Sequence, residues 1–400
     1  MTMSDKDEKM TNVVIVAACR TPIGSLGGAF KTLTPLDLSI PVMRELVERA
    51  GIDAAVIEDV IWGCNYQRTY KENNLARVAA VKAGLPDSVP GITIHRNCTS
   101  SMSSIQLGFY QIKAGEADCI MAGGADSMST APHMVFDVRY GKKFGNVELR
   151  DSMWDSLTNL GIGPGMGITA ENLAEMYDIT REQQDEYALR SQQNAVSAID
   201  EGKFIDEIVP VVIPGRKGDT VCDTDESPKR DVTIEGLAKL KPAFIDDGTV
   251  TAGNASTMND AASGVILMSE EKANELGLPI LAKILSVATT GVDPDIMGIG
   301  PVSATEKALE KANLSLDDMQ LIEINEAFAA QCLACEKAMG INRDILNVNG
   351  GGISLGHPVG ATGSRIVITL LYEMKRRNLK YGLATLCAGG GMGTAVIIEV

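Results

Sequence analysis

The sequence predicts a layered α/β protein assembled from two similar halves, and three observations predict it. Apolar, strand-like runs alternate with helix-like segments toward both ends of the chain. Forty glycines beside only 4% aromatic residues point to close backbone approaches and small-residue packing. Two stretches, IMAGGADSMS at 120–129 and TLCAGGGMGT at 385–394, echo each other across the chain. With 45% apolar and 22% charged residues, the 400-residue chain can bury large cores, which excludes a disordered or fibrous protein.

The first half opens with a continuous apolar strand at 12–18. Thr34 followed by Pro35 then has the form of an N-cap with proline in the first turn, and Gly51 closes that helix. Strands at 56–64, 92–95 and 118–122 alternate with helices at 73–83 and 99–114, a rhythm that predicts a buried and mostly parallel sheet. The second half repeats it, with strands at 281–287 and 319–324, helices at 304–312, 326–339 and 362–377, and a terminal strand pair at 381–387 and 394–400. Between 125 and 250 the pattern breaks into turn-rich stretches such as YGKKFGN and PGRKGDT. One long helix at 181–199 interrupts them, opened by Thr180 with Gln183 in capping-box position. This reads as an insertion in the first half, which rejoins the sheet at 265–269. The division expected is an N-terminal half of 1–124 with 251–275, an inserted loop domain of 125–250, and a C-terminal half of 276–400.

Charge and cysteine usage narrow the function. Thirty-six basic against 52 acidic residues give a net charge of −16, which argues against nucleic acid or an anionic membrane as partner. No apolar run approaches the length of a membrane span, and the opening MTMSDKDEKM lacks the apolar core of a signal segment, so a cytoplasmic protein is expected. The eight cysteines sit mostly in apolar or glycine-rich segments, as reduced thiols do. Cys332 and Cys335 form a CxxC on a predicted helix, with no second pair at metal-ligand spacing. They read as small buried residues, and no metal is expected.

Three histidines leave few candidates for acid–base work, and His357 stands out within the glycine-rich NVNGGGISLGHPVGATGSR. Cys98 follows the strand ITIH and falls in the first turn of the next predicted helix, where N–H groups and the helix dipole favour a thiolate. Cys387 ends a strand and leads into AGGGMG, whose amides either cradle an anion or simply turn a hairpin. Asn325 lies at a strand-to-helix junction as an expected N-cap, with Glu326 as an acidic first-turn residue. GIGPGMG at 161–167 has a dinucleotide-loop spacing but no preceding strand, and this reading ranks low.

These signals recur together in one order. NEAFAAQ at 325–331, GHPVGATGSR at 356–365, CAGGGMG at 387–393, GNAS-x-x-ND at 253–260 and HRNCTSSMSS at 95–104 strongly resemble the thiolases, the acetyl-CoA acetyltransferases. MGITAEN at 166–172, TREQQDEYALRSQQNA at 180–195 and LAKLKPAF at 237–244 extend the resemblance along the chain. It implies a five-layered αβαβα fold and an acyltransferase that cleaves or forms 3-ketoacyl-CoA, with acetoacetyl-CoA as default substrate and coenzyme A as substrate rather than cofactor. By the resemblance, Cys98 is the acylated nucleophile, His357 the base that takes its proton, and Cys387 the acid/base at the α-carbon. Asn325 holds a water that forms an oxyanion hole with His357, and the amides of Cys98 and Gly389 form a second. Ser256, Met166 and Phe244 match positions along the pantetheine channel, and Arg216, Lys217, Lys229 and Arg230 are candidates for the CoA phosphates. The family also implies a homodimer or homotetramer.

The chain departs from the family pattern at His95, Thr99, Ser101, Gly165, Thr257 and Ala261, which leaves the acyl chain length open. Three alternatives follow: a thiolase for longer or unusual chains, a condensing synthase of the same superfamily, and an inactive acyl-CoA-binding subunit.

Overall fold

The computed structural model describes residues 11–400. The opening MTMSDKDEKM lies outside them. The N-terminal half runs β1 (Val13–Arg20), β2 (Gly24–Ser25), α1 (Pro35–Ala50), β3 (Asp59–Gly63), α2 (Leu75–Ala83), β4 (Gly91–Ile94), α3 (Ser100–Lys113) and β5 (Cys119–Ser127). The chain then leaves the sheet for β6 (His133–Met134), β7 (Arg150–Asp151), α4 (Ser152–Thr158), α5 (Met166–Met176), α6 (Arg181–Asp200), β8 (Val211–Ile213), β9 (Thr220–Cys222) and α7 (Ile234–Ala238). It returns as β10 (Asn259–Ser269), followed by α8 (Glu270–Glu275). The C-terminal half contains β11 (Ala282–Gly291), α9 (Gly300–Ala312), β12 (Leu321–Ile324), α10 (Ala329–Met339), α11 (Val359–Arg377), β13 (Tyr381–Ala388) and β14 (Met392–Glu399).

The halves share one strand plan. Outward from their junction the first half orders β1, β10, β5, β3, β4, and the second β11, β14, β13, β12. The inner pairs are antiparallel and the outer ones parallel in both, and Leu346 completes the second half as a parallel bridge to Ile322. Three residue pairs between β1 and β11, Val13 to Ile284 among them, join the two into one continuous path. The sheet is therefore mixed rather than mostly parallel. Parallel neighbours occur where crossover helices intervene, whereas β14 follows β13 through a tight turn and must run antiparallel.

Helices α3 and α11 pack together between the two half-sheets, around a core that includes Ile105, Ile366, Val265 and Val396. Two further cores cover the outer faces, one with α1 and α2 and the other with α9 and α10. The result is the expected five layers. Small residues permit the central contact: a Cβ at Gly363 would lie 2.5 Å from the Met102 amide, and the Ser364 amide donates to Ser101 Oγ at 2.9 Å. The residue pattern predicted shorter strands than those present, because β5 continues through GGADS and β10 begins at Asn259, both fully buried stretches of small or polar residues. Helices α4, α5 and α7 in the insertion were also not expected. Among the described residues no helix is long and apolar enough to cross a membrane.

Candidate active site at the ends of the two central helices

Each central helix presents one chemical group from the loop before it. Cys98 lies in the turn ahead of α3, whose N-cap is Thr99, so it precedes the helix rather than occupying its first turn. It borders a cleft of about 430 Å³ together with Gly389, Met166, Leu160, His95 and Asn97. Burial pushes the Cys98 thiol up to about 11, opposed by the backbone N–H groups of Gly389 and Cys98 itself, which favour the thiolate. At neutral pH it is a protonated thiol with anion-stabilising donors in place.

His357 precedes α11, which begins at Val359 behind the N-cap Pro358, a few residues earlier than expected. The imidazole is buried, and its backbone N–H donates to Asn259 Oδ1 at 3.0 Å. Its Nδ1 lies 2.6 Å from Thr362 Oγ1, and that hydroxyl donates to the Pro358 carbonyl at 2.9 Å. With the hydroxyl hydrogen so placed, Nδ1 carries the ring proton and Nε2, which has no protein partner, offers a lone pair. Burial, then the charge of Arg365, lowers His357 to about 3, so the ring is neutral. The glycines around it are needed: Gly356 has φ of 110°, and a Cβ there would collide with the Asn259 amide.

Asn325 does not cap a helix. Its backbone N–H extends the β12 ladder to the Thr385 carbonyl at 3.1 Å, and Phe328 is the N-cap of α10. Both side-chain polar atoms of Asn325 are buried without a protein partner, an arrangement suited to holding a small polar molecule. Glu326 is likewise no exposed first-turn residue. It is fully buried and accepts from Ser191 Oγ at 2.6 Å, Asn347 Nδ2 at 3.1 Å and the Ile353 N–H at 3.1 Å, tying strand, loop and α6 together.

Cys387 is buried near the end of β13, and AGGGMG is indeed a hairpin turn, with Gly390 and Gly391 at positive φ. Burial pushes the Cys387 thiol well above its ordinary value, and the neighbouring thiols of Cys98 and Cys335 add to this. Gly389, on the same turn, lies beside Leu160 and Met166, which a Cβ there would meet.

The remaining candidates are dispersed. Met166 starts α5 on the cleft wall, and Phe244, 44% exposed, makes an edge contact with Phe328 at 6.1 Å. The Ser256 N–H donates to the Ala327 carbonyl at 2.9 Å. Arg216 and Lys217 are exposed on the turn joining β8 and β9. Lys229 and Arg230 border a separate cavity beside α6, where Arg230 forms a bidentate pair with Asp200 at 2.6 and 2.8 Å. The segment at 161–167 follows α4 rather than a strand and leads into the cleft wall. Cys332 and Cys335 are buried on α10, and no group of three metal-ligating side chains occurs among the described residues.

Sequence reasoning assigned no role to three residues that hold this constellation. Asp126 accepts from the Gly360, Asn65 and Tyr66 amides at 2.6, 2.8 and 3.0 Å, fastening the start of α11 to the N-terminal half. Asn259 and Thr362 orient His357 directly. All three stood inside the motifs quoted above, but nothing in their spacing indicated which atoms they hold.

The sequence pattern of the thiolase N-terminal domain matches residues 13–271, and that of the thiolase C-terminal domain matches 278–400. The chain belongs to the thiolase family. It is 52% identical over 392 residues to an acetyl-CoA acetyltransferase of Syntrophomonas wolfei, covering 97% of this chain and 98% of that one. The crystal structure of the Bacillus anthracis acetyl-CoA acetyltransferase superimposes with a TM-score of 0.95 at 51% identity, covering 98% and 99% of the two chains. Human mitochondrial 3-ketoacyl-CoA thiolase in complex with CoA gives 0.94 at 43% identity, covering 98% of each. This thiolase fold thus holds its departures from the family pattern within an unchanged frame. Ser101 bonds α3 to α11, and Thr257 Oγ1 donates at 2.8 Å to the same Asn259 oxygen that receives the His357 amide.

Proposed function

We propose that this protein is an acyltransferase that interconverts 3-ketoacyl-CoA plus CoA with acyl-CoA plus acetyl-CoA through an acyl group on Cys98, with acetoacetyl-CoA as default substrate. The observation that carries the reading is the pairing of a protonated thiol set among backbone N–H groups with a neutral, buried imidazole and an unpartnered Asn325 amide.

In the cleavage direction His357 Nε2 takes the Cys98 proton and the sulfur attacks the ketone carbon. The carbon–carbon bond breaks and its electron pair leaves on acetyl-CoA as an enolate. His357, now protonated, and a water on Asn325 stabilise the enolate oxygen, and the Cys387 S–H protonates its carbon. Free CoA returns a proton to Cys387 and attacks the acyl group. The Cys98 and Gly389 amides hold the tetrahedral oxyanion, and the departing Cys98 sulfur recovers its proton from His357. Because thioester is exchanged for thioester, both directions stay accessible.

The inserted segment at 125–250 is proposed to contribute CoA contacts, through Met166 and Phe244 at the channel and through Arg216, Lys217, Lys229 and Arg230 at the phosphates. Ser256 is proposed to line the channel from the returning chain. A homodimer or homotetramer in the cytoplasm completes the reading. CoA-dependent cleavage of acetoacetyl-CoA and of a graded series of longer 3-ketoacyl-CoAs by the purified protein tests it. Turnover on at least one is expected, and no turnover on any contradicts it.

A further inference from the structure

One side chain beside the nucleophile belongs to neither the acid–base set nor the fold's core. Asn97 has φ of 46°, a left-handed conformation that Asn tolerates better than most residues. Its carbonyl accepts from the Ser100 N–H at 3.1 Å and from Ser100 Oγ at 2.7 Å, which sets the turn carrying Cys98. Its side chain then crosses to the other half of the molecule, where Nδ2 donates to the Gly389 carbonyl at 2.7 Å. The direction of that bond is unambiguous, because a backbone carbonyl only accepts.

Beyond that bond, the turn is held two residues further on, where the Val292 N–H donates to the Gly391 carbonyl at 2.8 Å. A Cβ at Gly389 would meet Leu160 and Met166, and the next two residues are positive-φ glycines without side chains. Flexible backbone on one edge of an acyl-transfer site misdirects its donor unless something restrains it. Asn97 restrains it, and does so from the residue adjacent to the nucleophile, so the sulfur and the amide move together.

We propose that Asn97 is a positioning residue for acyl transfer, which locks the Gly389 turn to the Cys98 turn so that the Gly389 N–H stays directed at the reacting sulfur and at the oxyanion of the tetrahedral carbon bonded to it. The inference rests on the thiolase reading above, and it ties the N-terminal half's nucleophile to the C-terminal half's hydrogen-bond donor.

Two variants separate the tether from the turn. Asn97→Gly retains freedom at positive φ and removes the amide, whereas Asn97→Asp keeps the shape and places an acceptor against the carbonyl. Each is assayed in the full chain for kcat and KM in acetoacetyl-CoA thiolysis, and for the pH dependence of Cys98 alkylation by iodoacetamide. The expected result is a fall in kcat of about tenfold with KM for CoA within about twofold, as for a misdirected rather than deleted oxyanion donor. Alkylation shifts to higher pH in both variants. Wild-type kcat and an unmoved alkylation profile in Asn97→Gly overturn the inference and leave Asn97 a turn residue only. If the Gly variant fails to fold, Asn97→Asp decides on the same two readouts. Absence of thiolysis in the wild type contradicts the thiolase reading instead, while the alkylation profile still tests the tether.

Discussion

The two halves of this molecule use the same strand order and differ most in one connection. After β5 the first half departs at Ser127 and does not return to the sheet until Asn259, whereas after β13 the second half turns back within Gly389–Gly391. The long connection builds one wall of the cleft, with Leu160 and Met166. The short one places the Gly389 N–H against the Cys98 sulfur. Related positions in a duplicated plan thus form a cleft wall in one half and a tight glycine turn in the other. The central helices divide the work in a similar way, with Cys98 ahead of α3 and His357 ahead of α11.

That division makes ranked predictions. Cys98→Ala removes the acyl acceptor and is expected to lower kcat for thiolysis by at least about 10⁴-fold, measured against protein of unchanged circular dichroism. His357→Ala comes next, at about 10³-fold, because it removes both the base and one enolate donor. Asn325→Ala is expected to cost about 10²-fold in kcat, the scale of one oxyanion donor, with a smaller change in KM for CoA. If Asn325→Ala proves as damaging as Cys98→Ala, the proposed separation between the two oxyanion sites is wrong.

The pattern of residues made much of this legible, and its failures have physical reasons. Motif order singled out Cys98, Asn325, His357 and Cys387, the residues on which the proposed chemistry rests. The end of β5 around Asp126 and the start of β10 at Asn259 were missed because periodicity reads apolar side chains. These polar groups are buried with partners, Gly360, Asn65 and Tyr66 for Asp126, and Thr257, Gly24, Ser227 and the His357 amide for Asn259. Glu326 was misread for the same reason: a carboxylate after a strand ordinarily faces water, and its partners lie far away on α6 and in the 347–353 loop. The tether from Asn97 to Gly389 links residues 292 apart in sequence. No local pattern contains it.

Smaller effects sharpen the contrast between buried and surface charge. His357 titrates near 3 in the folded protein against an ordinary value of 6.5, so the unfolded chain binds the extra proton in between. Its contribution to stability is therefore full above about pH 6.5 and lost as pH falls toward 3. Urea unfolding of His357→Asn is expected to show a shallower acid decline over that window than wild type. At the surface, Lys229→Glu with Arg230→Glu is expected to raise KM for CoA about threefold with kcat unchanged. The modest size reflects exposure and the existing Arg230–Asp200 pair. No rise in KM contradicts the placement of the CoA phosphates at these residues.

The central claim is that Cys98 carries the acyl group. Peptide mass spectrometry after mixing the protein with acetyl-CoA tests it most directly. A single acetyl group on the Cys98 peptide, absent from Cys98→Ala and discharged by free CoA, is the predicted result. An unmodified Cys98, or an acetyl group on Cys387 instead, would contradict it.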